Sequence, residues 1–107
     1  MEKQYVIVLV TVPDKKTGEL ISNHLLEKKL IACVNFITPV ISLFTWQGNI
    51  DHEDEVLLIL KSRADLFKEQ LVPAIESLHP YEVPEILALP VLLGSEEYLN
   101  WIDEVTL

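Results

Sequence analysis

The stretch from Ala32 to Trp46 is β-prone almost throughout. Val34, Phe36, Ile37, Val40, Ile41 and Phe44 follow one another with a single break at Thr38-Pro39. Fully extended, such a run spans about 50 Å. One domain of 107 residues cannot cover that length with its own sheet. An uncovered apolar edge invites pairing with another chain, and the simplest partner is a second copy of this one. Proline inside the run points to an edge strand or a bulge. Gln47-Gly48-Asn49 supplies the turn, and the chain returns through the apolar residues from Glu55 to Lys61.

The remaining segments fall around this hairpin. Tyr5 to Val12 is nearly continuous in apolar, β-branched residues, the pattern of a strand buried on both faces. Pro13-Asp14 breaks it, with Asp14 placed to cap a helix. From Lys15 to about Lys29, Ile21, Leu25 and Leu26 share a face with the small Gly18 and Ser22, and Lys28 and Lys29 suit the negative helix end. Ser62-Arg63-Ala64-Asp65 reads as a capping box with Asp in place of Glu. Phe67, Leu71, Ala74, Ile75 and Leu78 form a helical stripe after it. Pro73 lies inside that helix, where it costs about 3 kcal/mol unless a kink absorbs it. Ile86 to Leu89 is a strand ended by Pro90, and Ser95-Glu96-Glu97 opens a last helix carrying Tyr98, Leu99, Trp101 and Ile102. The order β-α-β-β-α-β plus a helix predicts a single α+β domain over residues 1–107, of ferredoxin-like arrangement. Its first and third strands are central, the second and fourth lie at the edges, and both crossovers are right-handed.

Composition removes several functions. The net charge of −9 repels phosphate backbones and anionic lipid, so neither nucleic acid nor membrane is an expected partner. No apolar run approaches the ~20 residues of a membrane span. Met-Glu-Lys-Gln makes a poor signal peptide, which predicts a cytoplasmic protein. Cys33 is the only cysteine, which excludes an intrachain disulfide and a Cys-rich zinc site.

The chemistry concentrates in His79-Pro80-Tyr81-Glu82-Val83-Pro84-Glu85. Its two prolines stiffen the segment and hold His79 and Val83 out of the α region. His79 with Cys33 makes a soft donor pair for copper or zinc, and Glu82 adds a carboxylate. The competing readings are His79 as a cap on a helix end and Cys33 as a small buried hydrophobe. Lys61 is placed to pair with a carboxylate of the loop, and Glu55, Tyr81 and Glu85 join the expected pocket. Trp46 and Trp101 either line it or pack, with Trp46 expected against another subunit. His24 lies off the apolar helix face. His52 sits in the acidic run Asp51 to Glu55, expected as a solvated turn.

Several separated landmarks match a known family over essentially the whole chain. They are Thr11-Val12-Pro13-Asp14, Leu30 to Asn35, Ser42 to Gly48, Glu55, Lys61-Ser62, His79 to Glu85, and Tyr98 to Ile102. The chain resembles the CutA family of divalent-cation tolerance proteins. That resemblance implies a tight cytoplasmic homotrimer concerned with copper and other divalent cations. It also implies a likeness to the nitrogen-regulatory signal transducers, which bind nucleotides between subunits. Some members carry a cysteine before the Thr-x-Pro-Asp motif and a second histidine before the His-Pro pair. Here those positions are Val10 and Leu78, and Phe44 stands where tyrosine is frequent. Three classes follow: a copper- or divalent-cation-binding trimer without enzymatic activity, with His79 as the central ligand; a small-molecule or nucleotide sensor; and an enzyme using Cys33 as nucleophile with His79 as base.

Overall fold

The computed structural model describes residues 3–107. Strand β1 (Tyr5–Val12) leads into helix α1 (Lys15–Glu27), and the hairpin follows as β2 (Cys33–Trp46) and β3 (Asn49–Arg63). Helix α2 (64–78), strand β4 (Ile86–Pro90) and helix α3 (Glu96–Val105) complete the chain. The four strands form one antiparallel sheet in the order β2-β3-β1-β4. The apolar runs β1 and β3 are central and the proline-bearing β2 and β4 are at the edges, as the patterning predicts.

One face of the sheet carries α1 and α2. Val6, Val8, Val10 and Val12 of β1 meet Val56, Leu58 and Leu60 of β3 there, over Ile21, Leu25, Leu71 and Ile75 of the helices. Gly18 allows the close approach: a Cβ at that position would lie 2.9 Å from the Phe36 ring. The other face is only half-covered within the chain. Tyr5, Ile7, Leu9 and Thr11 alternate with the buried valines, and Ile37, Leu87 and Leu89 beside them are exposed. The β1 expectation of two buried faces is therefore met on one face only, and the second is apolar but open. Helix α3 covers its far end, where Arg63 donates to Thr106 Oγ1 (2.8 Å) and Lys3 pairs with Asp103 (3.0 Å).

Local chemistry departs from expectation at three places. Ser62 is no cap: it is buried in β3 and donates to the Leu30 carbonyl at 2.6 Å. Arg63 begins α2 with no side-chain cap and instead grips Asp65 through Nε (2.9 Å) and Nη2 (3.1 Å). That contact holds the Asp65 carboxyl below its ordinary range. The acidic run is not a turn, because β3 begins at Asn49 and Asp51 to Asp54 are strand residues. In α2, a short first turn (Ala64–Leu66) widens into a π-helical turn (Phe67–Leu71) before an α-helical end (Val72–Leu78). The Val72 N–H reaches five residues back to the Phe67 carbonyl. The wide turn eases the crowding that Pro73 imposes on the carbonyl of Glu69.

Helix α1 starts on Asp14, whose carboxylate accepts from the Thr17 N–H at 2.8 Å. It ends in a Schellman motif: the Leu30 N–H reaches the Leu25 carbonyl (2.9 Å) and the Lys29 N–H reaches that of Leu26 (3.1 Å). Lys29 takes φ 59°, the left-handed region that favours glycine. Lys29→Gly is expected to raise unfolding stability by about 1 kcal/mol; the check is the urea midpoint at constant slope.

Candidate functional cleft

The hairpin outruns the sheet. Strand β1 pairs with β3 only as far as Val56, while β2 continues beside β3 to the Trp46–Asn49 pair. Residues 40–55 thus stand off as a two-stranded arm after a register shift between Ile37 and Val40. The Gln47-Gly48 turn that closes it has φ 50° and 81°, the type I′ geometry that suits strand twist. Its register puts Phe44 opposite Asp51, Ser42 opposite Glu53, and Val40 opposite Glu55. Asp51, Glu53 and Glu55 consequently share one face of the arm.

The stiff loop after α2 faces that side of the arm. The His79 N–H closes the last turn on the Ile75 carbonyl (3.0 Å), and its backbone then turns extended ahead of Pro80. The imidazole is buried. Nε2 lies 2.7 Å from the Thr11 carbonyl oxygen, and Nδ1 lies 3.1 Å from the Tyr81 N–H. A carbonyl only accepts and an amide N–H only donates, so the ring is neutral with its proton on Nε2. The Tyr81 ring tilts against it at 4.7 Å, and the Tyr81 hydroxyl donates to Glu55 Oε2 at 2.8 Å. Burial, then the Glu55 carboxylate, pushes the Tyr81 phenol well above its ordinary range.

Arm and loop enclose an open cleft of about 810 Å³. Its wall carries Asp51, Glu53, Glu55, Glu82 and Glu85, the aromatic rings of Phe44, Trp46 and Tyr81, and, among the described residues, no Lys, Arg or His. Such a lining attracts cations and repels anions. Among the described residues, no group of three His, Cys, Asp or Glu is placed to hold a metal ion.

The structure brings Glu55, Tyr81, Glu82, Glu85 and Trp46 together and leaves four expected members elsewhere. Both ring nitrogens of His79 are already bonded, so it is the helix-end anchor of the loop, with no lone pair free for a metal. Cys33 pairs with Lys61 in register, whereas the Thr11 held by His79 pairs with Leu57. Those β3 positions are four residues apart, about 13 Å. Cys33, His79 and Glu82 therefore do not form a common ligand set within the chain, and Cys33 is not beside a histidine base. Cys33 Sγ instead lies 3.3 Å from the Tyr98 hydroxyl, and Trp101 stacks obliquely on Tyr98 at 5.6 Å. Lys61 donates to Asn35 Oδ1 rather than to a loop carboxylate. Phe44, Asp51 and Glu53 are cleft residues that the sequence reading missed; the Gln47-Gly48 turn was the signal, because it fixes which acids share a face.

With the geometry in place, the comparisons agree with one another. A family profile described as CutA1 divalent ion tolerance protein matches residues 6–105. The divalent-cation tolerance protein CutA of Thermus thermophilus is 41% identical over 100 residues, covering 94% of this chain and 96% of that protein. The human protein CutA is 41% identical over 91% of this chain, which spans only 54% of the longer human protein. Among solved structures, the Thermus thermophilus divalent cation tolerance protein superposes with a TM-score of 0.92 at 40% identity, covering 95% of this chain and 98% of that one. CutA1 of Oryza sativa gives 0.92 at 36% identity, covering 96% and 94%.

Two expectations follow from the hydrogen bonds. Tyr81→Phe strips the donor from a buried carboxylate and should cost about 1–3 kcal/mol of stability, read from denaturant unfolding. The Tyr98 phenol is pushed up to about 12, first by its bond to Cys33 and then by burial. A phenol whose folded pKa is raised stabilises fully below its unfolded value near 10 and loses that contribution as pH rises through the folded value. Stability should therefore fall between about pH 10 and 12, while absorbance at alkaline pH shows two of the tyrosines ionising late.

Proposed function

The chain belongs to the CutA1 divalent ion tolerance protein family, and from that membership and the acidic cleft we propose that it is a cytoplasmic, non-enzymatic homotrimer of ferredoxin-like subunits that meets divalent cations at the arm–loop cleft. The carrying observation is the wall of five carboxylates without one basic side chain. Curated relatives bear the name divalent-cation tolerance protein, which supports the same reading.

The donor set decides which cations fit. Carboxylate oxygens suit hard ions such as Mg²⁺, Mn²⁺ and Ca²⁺. Copper prefers nitrogen and sulfur, and within a subunit His79 and Cys33 are engaged in separate places. Copper centred on His79, the sequence expectation, is thus replaced by weak cation binding at Glu53, Glu55 and Glu82, with a neighbouring subunit adding donors. The trimer reading is supported by the arm. Ile41, Leu43, Phe44, Trp46 and Ile50 lie exposed on it, and a lone two-stranded hairpin is marginal in water. Apolar surface of this extent on one projection marks an association site. The runner-up, a nucleotide sensor, is disfavoured because the cleft would repel phosphate.

Sedimentation equilibrium should give a trimer at micromolar concentration, and Trp46 emission should be blue-shifted in it; a stable monomer overturns the assembly. Calorimetry should show Mn²⁺ binding weakened several-fold by Glu53→Gln or Glu55→Gln. His79→Ala should lower stability by about 2 kcal/mol, since it strands two part-buried backbone groups, and should weaken metal binding less than Glu53→Gln or Glu55→Gln does.

A further inference from the structure

The stiff loop hangs on a ring that can hold it in one protonation state only. His79 is 8% exposed, so a hydrogen bond lost there is poorly replaced by water. Its Nε2 donates to the Thr11 carbonyl at 2.7 Å, and its Nδ1 accepts from the Tyr81 N–H at 3.1 Å. A second proton leaves the first bond intact, because an imidazolium still donates to a carbonyl. At Nδ1 it replaces an acceptor by a donor, and two N–H groups then face each other. The conflict falls wholly on the loop. Tyr81 is also the residue whose ring leans on the imidazole at 4.7 Å and whose hydroxyl bonds Glu55 at the root of the arm (2.8 Å).

The surroundings favour the second state as charge, while the docked loop opposes it as geometry. Glu55 and Glu53 of β3 and Asp14 at the start of α1 all act on the Tyr81 phenol. Glu82 and Glu85 stand on the same wall, which among the described residues holds no Lys or Arg. Carboxylates on three sides attract an imidazolium. The neutral ring with the loop docked and the charged ring with the loop displaced are thus two alternatives of one side chain, and histidine is the residue whose charge changes in the physiological range. We propose that His79 is an acid-released latch: its protonation expels the Tyr81 amide, frees the loop from the imidazole and uncouples it from Glu55 on the arm. The His79 amide, bonded to the Ile75 carbonyl at 3.0 Å, belongs to the helix end and stays in place. The latch needs no bound ion, so it stands or falls separately from the divalent-cation reading.

The test is NMR of the full chain without added metal, from about pH 7.5 down to about pH 5, a window that holds the ordinary imidazole value and stays above the ordinary carboxylate values. The ring nitrogens of His79 should pass from one protonated to two. Over the same range the Tyr81 amide should lose hydrogen-exchange protection by about tenfold or more, after correction for the intrinsic pH effect, as one hydrogen bond is lost. The His79 amide should keep its protection. The Glu55 amide resonance should follow the His79 ring in the parent protein and cease to follow it in Tyr81→Phe, where the link to the arm is already cut. In His79→Gln, which does not titrate, Tyr81 protection should be independent of pH. A ring that gains its second proton while Tyr81 stays protected overturns the latch, as does a ring still singly protonated at about pH 5. An equal acid loss in His79→Gln assigns the effect to the carboxylates and overturns it too. If His79→Gln does not fold, the ring nitrogens and the Tyr81 amide of the parent protein decide the question alone.

Discussion

Strand β3 is longer than the sheet that holds it. From Val56 to Arg63 it pairs with β1, and over much of that length with β2 as well; from Asn49 to Glu55 it has β2 alone. Everything distinctive follows from that mismatch. The molecule is drawn out to 45 Å along one axis against 26 and 24 Å along the others. The doubly paired half carries the helices and a closed core. The singly paired half carries apolar side chains on both faces, with Ile41 and Leu43 on β2 and Ile50 on β3 among the most exposed. A domain that stopped at Val56 would have a finished core on the helix side and no cleft.

A short chain of hydrogen bonds ties the two halves together. The Thr11 carbonyl at the end of β1 holds His79, His79 accepts from the Tyr81 amide, and the Tyr81 hydroxyl holds Glu55 at the root of the arm. Three elements distant in sequence meet through one imidazole and one phenol. Each group is buried or half-buried, and each bond has a single chemically allowed direction, so the arrangement fixes the histidine tautomer and the phenol's protonation together. Pro80 and Pro84 keep the loop from collapsing into helix, so Tyr81 is presented rather than buried. The histidine that looked like a ligand is the post on which the cleft wall hangs.

Much of this architecture was legible in the chain, and the misses share a cause. Periodicity located β1, α1, β4 and α3, and the length of the 32–46 run foretold an arm beyond the sheet. The site was half legible: the His79–Glu85 loop and Glu55 do line or support one cleft, whereas Cys33 and Lys61 do not. Spacing along a chain reports which face a residue takes, but not how far along a neighbouring strand its partner lies. That distance is set by register, and here it separates Cys33 from Thr11 by four residues of β3. Ser62 read as a cap because Ser-x-x-Asp fits the pattern; in the structure the Leu30 carbonyl claims its hydroxyl. Pro73 read as a defect because the i→i−4 ladder was assumed, and the π turn at 67–71 removes that assumption.

The acids of the arm set a condition on assembly. Neighbouring carboxylates on one strand face are about 7 Å apart. At that distance two unit charges repel by about 0.6 kcal/mol in water and about 2.4 kcal/mol at the effective dielectric near a protein surface. Any subunit that closes over Phe44 and Trp46 to cover their apolar surface moves Asp51, Glu53 and Glu55 from the first condition toward the second. The apolar gain from covering those rings, about 25 cal/mol per Å², is therefore opposed by a charge term that grows as water leaves. A cation in the cleft cancels that term. Binding that favours the closed form must, by linkage, be favoured by it in turn. On the proposed reading, cation occupancy and closure between copies would be two sides of one equilibrium, because the arm strands that carry the acids also carry the exposed apolar side chains.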